Sequence, residues 1–387
     1  MAVRMQFTGD ILCQIPQTRA CATAHGPDYR PVFAPIKTLL RDCDYLVGNL
    51  ETPIAGETLG YSDRLYQFNT PVAFLDALKD AGFQLLSTAN NHCMDRGLPG
   101  LLATLDHLDA AGLEHTGTFR SREERETPLV RELGGIRFGF LSYTYGTNAF
   151  FHHQYLPGNV PWAVNLLQPE EEREGAIDLL DREGVPQKVQ ALYQQENPVF
   201  QRCIAPYLEA LKEDIHRLRK AGAEYLIMLL HCGGQHDLMP DAYTQWIVRW
   251  LDEAGVDLIV GHHQHILHPF AKLSHARVAY CLGNLTDTPD HNPNGRGIGE
   301  EYSILLRCAF ERRQGRVAMT GCTFIPVKSV FDSRGRAVVK EVAALIGEAD
   351  SPAQKAQIMK DLAHFVNLIQ GKPENTPVMP APDYPLP

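Results

Sequence analysis

Short apolar runs alternate with amphipathic stretches along most of the chain, the pattern of a layered α/β domain. Ala2 to Thr8 reads as the first strand, Tyr45 to Val47 as the second and Phe83 to Ser87 as the third. Between them the spacing predicts helices over Val32 to Leu40 and Pro71 to Asp80, the latter opened by a proline, which suits a first helical turn. A helix over Leu98 to Ala111 and a strand over Ile136 to Tyr143 follow. Further on come a helix over Ala205 to Ala221, a strand over Tyr225 to Leu230, a helix over Asp241 to Ala254 and a strand over Asp257 to Val260. Arg277 to Leu282, Tyr302 to Phe310 and Val317 to Ile325 read as β-rich completion of the sheets, and Pro352 to Gln370 as a terminal helix.

Residues from about 145 to 200 break this rhythm with Phe150-Phe151-His152-His153, then Pro157-Gly158-Asn159, then Glu170-Glu171-Glu172-Arg173-Glu174. Long irregular stretches in compact domains are usually functional or mobile. The segment reads either as an insertion or lid, or as a surface excursion without a role. One domain over 1–330 carries it, and 331–387 supplies a C-terminal helix and a Pro-rich tail laid on that domain.

The 44% hydrophobic and 21% charged fractions of the 387 residues allow a substantial core and exclude a disordered chain. A net charge of -10 argues against a broad nucleic-acid-binding face, which needs clustered Lys and Arg. It leaves an anionic substrate open, because a bound metal reverses the local sign of a site. No long apolar run and no apolar leader segment are present, so a membrane role is not expected and a cytoplasmic location is. Nine scattered cysteines with no Cys-x-x-Cys pair read as reduced, mostly buried small residues, in keeping with the cytosol.

Polar clusters sit where the apolar strands end: Gly9-Asp10, Gly48-Asn49-Leu50-Glu51, Ala89-Asn90-Asn91-His92 with Asp95 and Gly97 just after, His231-Cys232-Gly233, Gly261-His262-His263-Gln264-His265, and Leu282-Gly283-Asn284. Ligands of open α/β sheets gather outside the carboxyl ends of strands. Carboxylate, amide and imidazole together suit Mn, Fe or Zn. A bridging carboxylate among them could hold two ions about 3.5–4 Å apart, as in two-metal hydrolysis. In an extended chain His263 and His265 point to one side and His262 to the other. Each cluster alone has a plainer reading: a turn or cap for Asp10 and Asn90, a core histidine for His231, a surface loop for the Gly-His-His-Gln-His run.

In this order the motifs resemble the CapA family of poly-γ-glutamate capsule synthesis proteins, which is similar to calcineurin-like metallophosphoesterases. The resemblance runs from about Arg4 to Asp287, with Ala-Asn-Asn-His and Gly-His-His-x-His its most specific parts. It implies the layered calcineurin-like fold, a β-sandwich flanked by helices. It also implies metal-site positions at Asp10, Glu51, Asn91, His231, His263 and His265 for one or two divalent ions, with His92 as a general acid. Asn90, Asn284, Phe151 and His152 are the candidate substrate contacts. Two departures stand out. Asp10 is followed by Ile11 and Leu12 rather than by x-His, and the N-terminal anchor usual in capsule-synthesis members is not seen. Metal-assisted hydrolysis or transfer on a peptide-like, γ-glutamyl or phosphorylated substrate is the leading expectation. A metal-free peptide epimerase using Asp10 with a histidine such as His291, and a non-catalytic peptide-binding protein, are the alternatives.

Overall fold

The computed structural model describes residues 2–62, 64, 66–170, 198–288 and 299–386, the side chains of 198–200 excepted. The apolar runs form two facing sheets. In the first, β1 (Val3–Ile11), β2 (Tyr45–Leu50), β3 (Leu85–Ser87) and β4 (Glu114–Thr116) lie parallel, side by side. Beyond β1 this sheet continues antiparallel through β12 (Tyr302–Arg313), β13 (Arg316–Phe331) and β14 (Ala337–Glu341). A short strand, β11 (Asn284–Thr286), runs parallel against the end of β1. The second sheet runs β5 (Leu129–Leu133), β6 (Ile136–Thr144), β7 (Tyr225–His231), β8 (Leu258–His262), β10 (Arg277–Ala279) and β9 (Phe270–Lys272), with β6, β7, β8 and β10 parallel.

The strands bury both faces. Val3, Met5 and Phe7 of β1 and Tyr45 and Val47 of β2 meet Phe138, Phe140, Tyr225, Ile227, Leu229, Leu258 and Val260 in a core between the sheets. In the opposite phase Leu46, Leu50 and Leu86 pack with residues of the helices Ala73–Ala81 and Gly97–Ala111. Leu226, Met228, Leu230 and Ile259 do the same with the helices Pro198–Lys220 and Ala242–Glu253. The result is the expected helix-flanked β-sandwich. Burial on both sides is why these strands read as continuous apolar runs rather than as an alternation.

The terminal helix has its expected bounds because both ends are capped. Ser351 Oγ accepts the Gln354 N–H at 3.2 Å, Pro352 lies in the first turn and Gly371 ends it in the left-handed conformation. The helix expected over Val32 to Leu40 is broken instead into Arg30–Phe33, a 3₁₀ turn at Ala34–Ile36 and Lys37–Leu40. Pro35, which lacks an N–H and crowds the preceding turn, explains the break. The C-terminal residues do more than lie on the surface: β14 extends the first sheet, β15 (Tyr384–Pro385) pairs with β13, and Leu362, Phe365 and Val366 join the core between the sheets. Among the described residues no helix is long and apolar enough to cross a membrane.

Candidate metal centre

Strand phase delivers three of the polar side chains between the sheets. Tyr45 and Val47 point inward from β2, so Asn49 and Glu51, in the same phase, follow at its carboxyl end. Tyr225, Ile227 and Leu229 point inward from β7, and His231 continues that row. The row Val3, Met5 and Phe7 of β1 would send Asp10 outward, but the β1/β2 register shifts between Phe7 and Asp10. Ile11 accordingly packs in the outer core and Asp10 turns in, the usual work of a bulge. Gly9 is required there, because a Cβ would lie 2.0 Å from the Gly283 carbonyl oxygen.

The histidines after β8 do not follow the extended alternation. β8 ends at His262, whose Nε2 lies 3.1 Å from the Thr8 carbonyl oxygen and so links the two sheets. His263 and His265 have φ of +97° and +62°, and the turn they make brings both rings to the same cluster. Non-glycine residues in that region persist where the surrounding structure dictates them, often at functional sites.

Glu51 occupies the middle. Its Oε1 lies 3.4 Å from His231 Nε2 and 3.9 Å from His265 Nε2. Two groups of ligand atoms share it: Glu51 with His231 and His263, and Glu51 with Asp10 and His265, the atoms of each within 4.8 Å of one another. Asn91 Oδ1, 2.8 Å from His231 Nε2, adds an amide oxygen to the first group. In the second group Asp10 Oδ1 accepts from Asn49 Nδ2 at 2.8 Å, and Oδ2 accepts the His263 N–H at 3.0 Å. His265 Nδ1 lies 2.8 Å from Asn284 Oδ1, which can only accept, so His265 presents a free Nε2 toward Glu51.

Among the described residues Glu51 Oε1 and Oε2 and both ring nitrogens of His263 are buried without a hydrogen-bond partner. Buried polar atoms in native proteins are nearly always partnered. A carboxylate, imidazoles and an amide oxygen around these atoms fit a borderline divalent ion, so the residues present suit the metal that the motifs imply.

Electrostatics divide the cluster. Burial, with Asp10 adding to it, pushes the Glu51 carboxyl well above its ordinary value. Burial also pushes the His231 and His263 imidazoles well below theirs, keeping both neutral. For Asp10 burial works upward, yet His265 and the other nearby imidazoles outweigh it and hold the carboxyl below its usual range. His265 is the converse: burial works downward, and Asp10 with Asn284 raises it above 6.5.

The remaining candidate residues lie around this cluster. His92 is buried, with Nδ1 2.8 Å from Asp95 Oδ2 and its ring 4.3 Å from that of Phe68. Asn90, considered as a substrate contact, instead donates to the Leu50 carbonyl at 2.8 Å and accepts the His92 N–H at 3.1 Å. Asn284, considered likewise, orients His265. Phe151 is 65% exposed, and His152 Nε2 stands 3.3 Å from Asp95 Oδ1; neither joins the ligand groups around Glu51. His291 and 171–197 of the insertion lie outside the described residues. Sequence reasoning assigned no role to Asn49, although it lies in the inward phase two residues before Glu51 and Ser87 Oγ donates to its Oδ1 at 2.9 Å. It also passed over Asn148, whose Oδ1 accepts from Asn91 Nδ2 at 3.2 Å. Leu12 is buried and apolar where the wider motif would place a histidine.

These features define a layered α/β protein with a carboxylate-centred candidate metal site at the carboxyl edge between its sheets. The chain belongs to the bacterial capsule synthesis protein PGA_cap family, whose model matches residues 4–288. It is 24% identical over 286 residues to the capsule biosynthesis protein CapA of Bacillus anthracis, covering 72% of this chain and 58% of that one. To the PGA biosynthesis protein CapA of Bacillus subtilis it is 23% identical over 256 residues, covering 65% and 56%. The chain thus spans little more than half the length of these relatives. Among solved structures it is similar to the calcineurin-like phosphoesterase YfkN of Bacillus subtilis, with a TM-score of 0.45 and 14% identity over 93% of this chain and 96% of that one.

Proposed function

We propose that this chain is a metal-dependent hydrolase or transferase acting on a γ-glutamyl or other peptide-like substrate, or on a phosphorylated one. The observation that carries the reading is the set of buried, unpartnered atoms of Glu51 and His263, facing His231 on one side and Asp10 with His265 on the other. Glu51, Asn91, His231 and His263 would hold one ion, and Asp10, Glu51 and His265 a second. Bound there, divalent ions such as Mn, Fe or Zn supply Lewis acidity and neutralise charge developing on the reacting group. The chain's own residues do the rest. Asn49 and Asn284 orient Asp10 and His265. His92, its Nδ1–H held by Asp95, would deliver a proton from Nε2 to the leaving group when both ring nitrogens carry hydrogen, and is left with the Nε2 lone pair afterwards.

The name of one relative, the PGA biosynthesis protein CapA of Bacillus subtilis, favours a γ-glutamyl substrate for this chain. An epimerase would need Asp10 as a base of near-neutral pKa. Asp10 is the opposite, held low with both oxygens engaged, which supports its role as a ligand. The test is metal analysis of the purified protein together with turnover of two probes, γ-glutamyl-p-nitroanilide and p-nitrophenyl phosphate. Activity on one of them should vanish on chelation and return with Mn or Zn. Full activity in a chelated, metal-free protein would sink the reading.

A further inference from the structure

We infer that His152 is a positioning residue for His92, acting through Asp95; the inference rests on the reading of His92 as proton donor. Asp95 is wholly buried, and its two oxygens are used differently. Oδ2 takes His92 Nδ1 at 2.8 Å and the Phe68 N–H at 2.6 Å. Oδ1 faces His152 Nε2 at 3.3 Å, an approach that is not aligned as a hydrogen bond, and among the described residues neither of these two buried atoms has a hydrogen bond. His152 is therefore the donor within reach of the second oxygen.

The first turn of the insertion carries His152 and is seated on the loop that bears His92. The helix Ala149–His152 ends at His152. Asn148, which precedes that helix, accepts from the candidate ligand Asn91, while Gln154 packs over Gly97. A Cβ on Gly97 would lie 2.6 Å from Gln154 Oε1, and Gly97 has φ of +62° besides. The insertion thus touches a candidate ligand, the carboxylate that orients His92, and the backbone two residues after that carboxylate.

The consequence is a question of rotation. A carboxylate held through one oxygen can turn about its Cβ–Cγ bond and carry His92 with it. A donor on the other oxygen fixes the plane of the carboxylate, and through it the ring and tautomer of His92. Since an ionised carboxylate only accepts, it sets Nδ1–H on His92 and would draw Nε2–H on His152 toward its second oxygen. Burial works to raise the Asp95 carboxyl, but the two imidazoles outweigh it and keep the group ionised.

Two variants test this, His152→Ala and His152→Gln, the second retaining an N–H donor at similar reach. The deciding measurement is proton–nitrogen correlation NMR of the histidine rings in the full-length, metal-free protein. The parent should show His92 as a single Nδ1–H tautomer, His152→Ala a mixture of tautomers, and His152→Gln a return to the parent form. On whichever probe class the parent turns over, γ-glutamyl anilides or phenyl phosphates, His152→Ala should lower kcat about tenfold with the unsubstituted leaving group. With the p-nitro leaving group, which needs little protonation, the loss should be about twofold or less. It should add nothing in a His92→Ala background. An unchanged His92 tautomer in His152→Ala would overturn the inference, as would losses that multiply with those of His92→Ala. So would an additional ion that His92, Asp95 and His152 bind and that His152→Ala releases. If His92→Ala itself shows no leaving-group dependence, the proton-donor reading fails, while the tautomer measurement still judges the contact.

Discussion

Around Glu51 the half built from His231, His263 and Asn91 is lined by imidazoles that burial holds neutral and a carboxamide, whereas the half built from Asp10 and His265 pairs a low-titrating carboxylate with an imidazole that it raises. In the first, neither ring nitrogen of His263 has a hydrogen bond among the described residues, and burial keeps the His231 and His263 rings neutral. Each ring then has one lone pair to offer an ion. In the second, Asp10 is engaged by Asn49 and by the His263 N–H, and it raises the His265 imidazole toward its protonated form. An ion entering there competes with a proton for His265, and Leu12 supplies no further donor. On the proposed reading one bridging carboxylate would serve two ion positions of unequal affinity, set by the charge of the neighbours rather than by the bridge.

The largest effect should come from the bridge itself. Glu51→Ala should abolish stoichiometric metal and lower turnover by about a hundredfold or more, measured by elemental analysis and initial rates. Retention of both ions would break the comparison at its centre. Next, His92→Ala should lower kcat by about a hundredfold or more while the metal around Glu51 stays intact, since His92 belongs to neither ligand group that shares Glu51. Loss of metal in that variant would place His92 among the ligands.

The two halves are then separated by His263→Ala and His265→Ala. The first should remove the tightly held ion and the second only the weaker one, as read by metal retained after exhaustive dialysis. Affinity of the weaker position should also fall by up to about tenfold for each pH unit below the His265 midpoint, while the tighter position changes less. Equal losses, or parallel pH slopes, would mean that the pairing of Asp10 with His265 does not distinguish the halves.

How much of this was legible in the sequence differs residue by residue. Asn49, Glu51 and His231 continue rows of inward apolar residues, so their direction is a matter of counting. Asp10 is not, because its direction depends on a register shift that β2 and β11 impose on β1. His263 and His265 were apparent as residue types, but their shared direction comes from positive φ at both positions rather than from strand alternation. The helical boundary at Pro35 was visible in the residue and overlooked in the periodicity. The approach of His152 to Asp95 joins the insertion to a distant loop, a pairing that no local pattern carries.

The smallest effect concerns stability. Burial, with Asp10, raises the Glu51 carboxyl above its ordinary 4.5, so its contribution is whole below that value and is lost as pH rises through the buried group's own value. Glu51→Gln should therefore stabilise the metal-free protein near neutral pH by about 1–3 kcal/mol, with the advantage shrinking as pH falls toward 4.5. Thermal melts of chelated parent and variant across that range would show it. A variant less stable than the parent at neutral pH would mean that Glu51 has a partner even without metal.

The most direct measurement of the central claim is a calorimetric titration of the chelated, full-length protein with Mn or Zn, repeated for His263→Ala and His265→Ala. The account predicts two unequal binding events in the parent, the tighter absent in His263→Ala and the weaker absent in His265→Ala. Absence of stoichiometric binding in the parent, or two events that survive both substitutions, would contradict it.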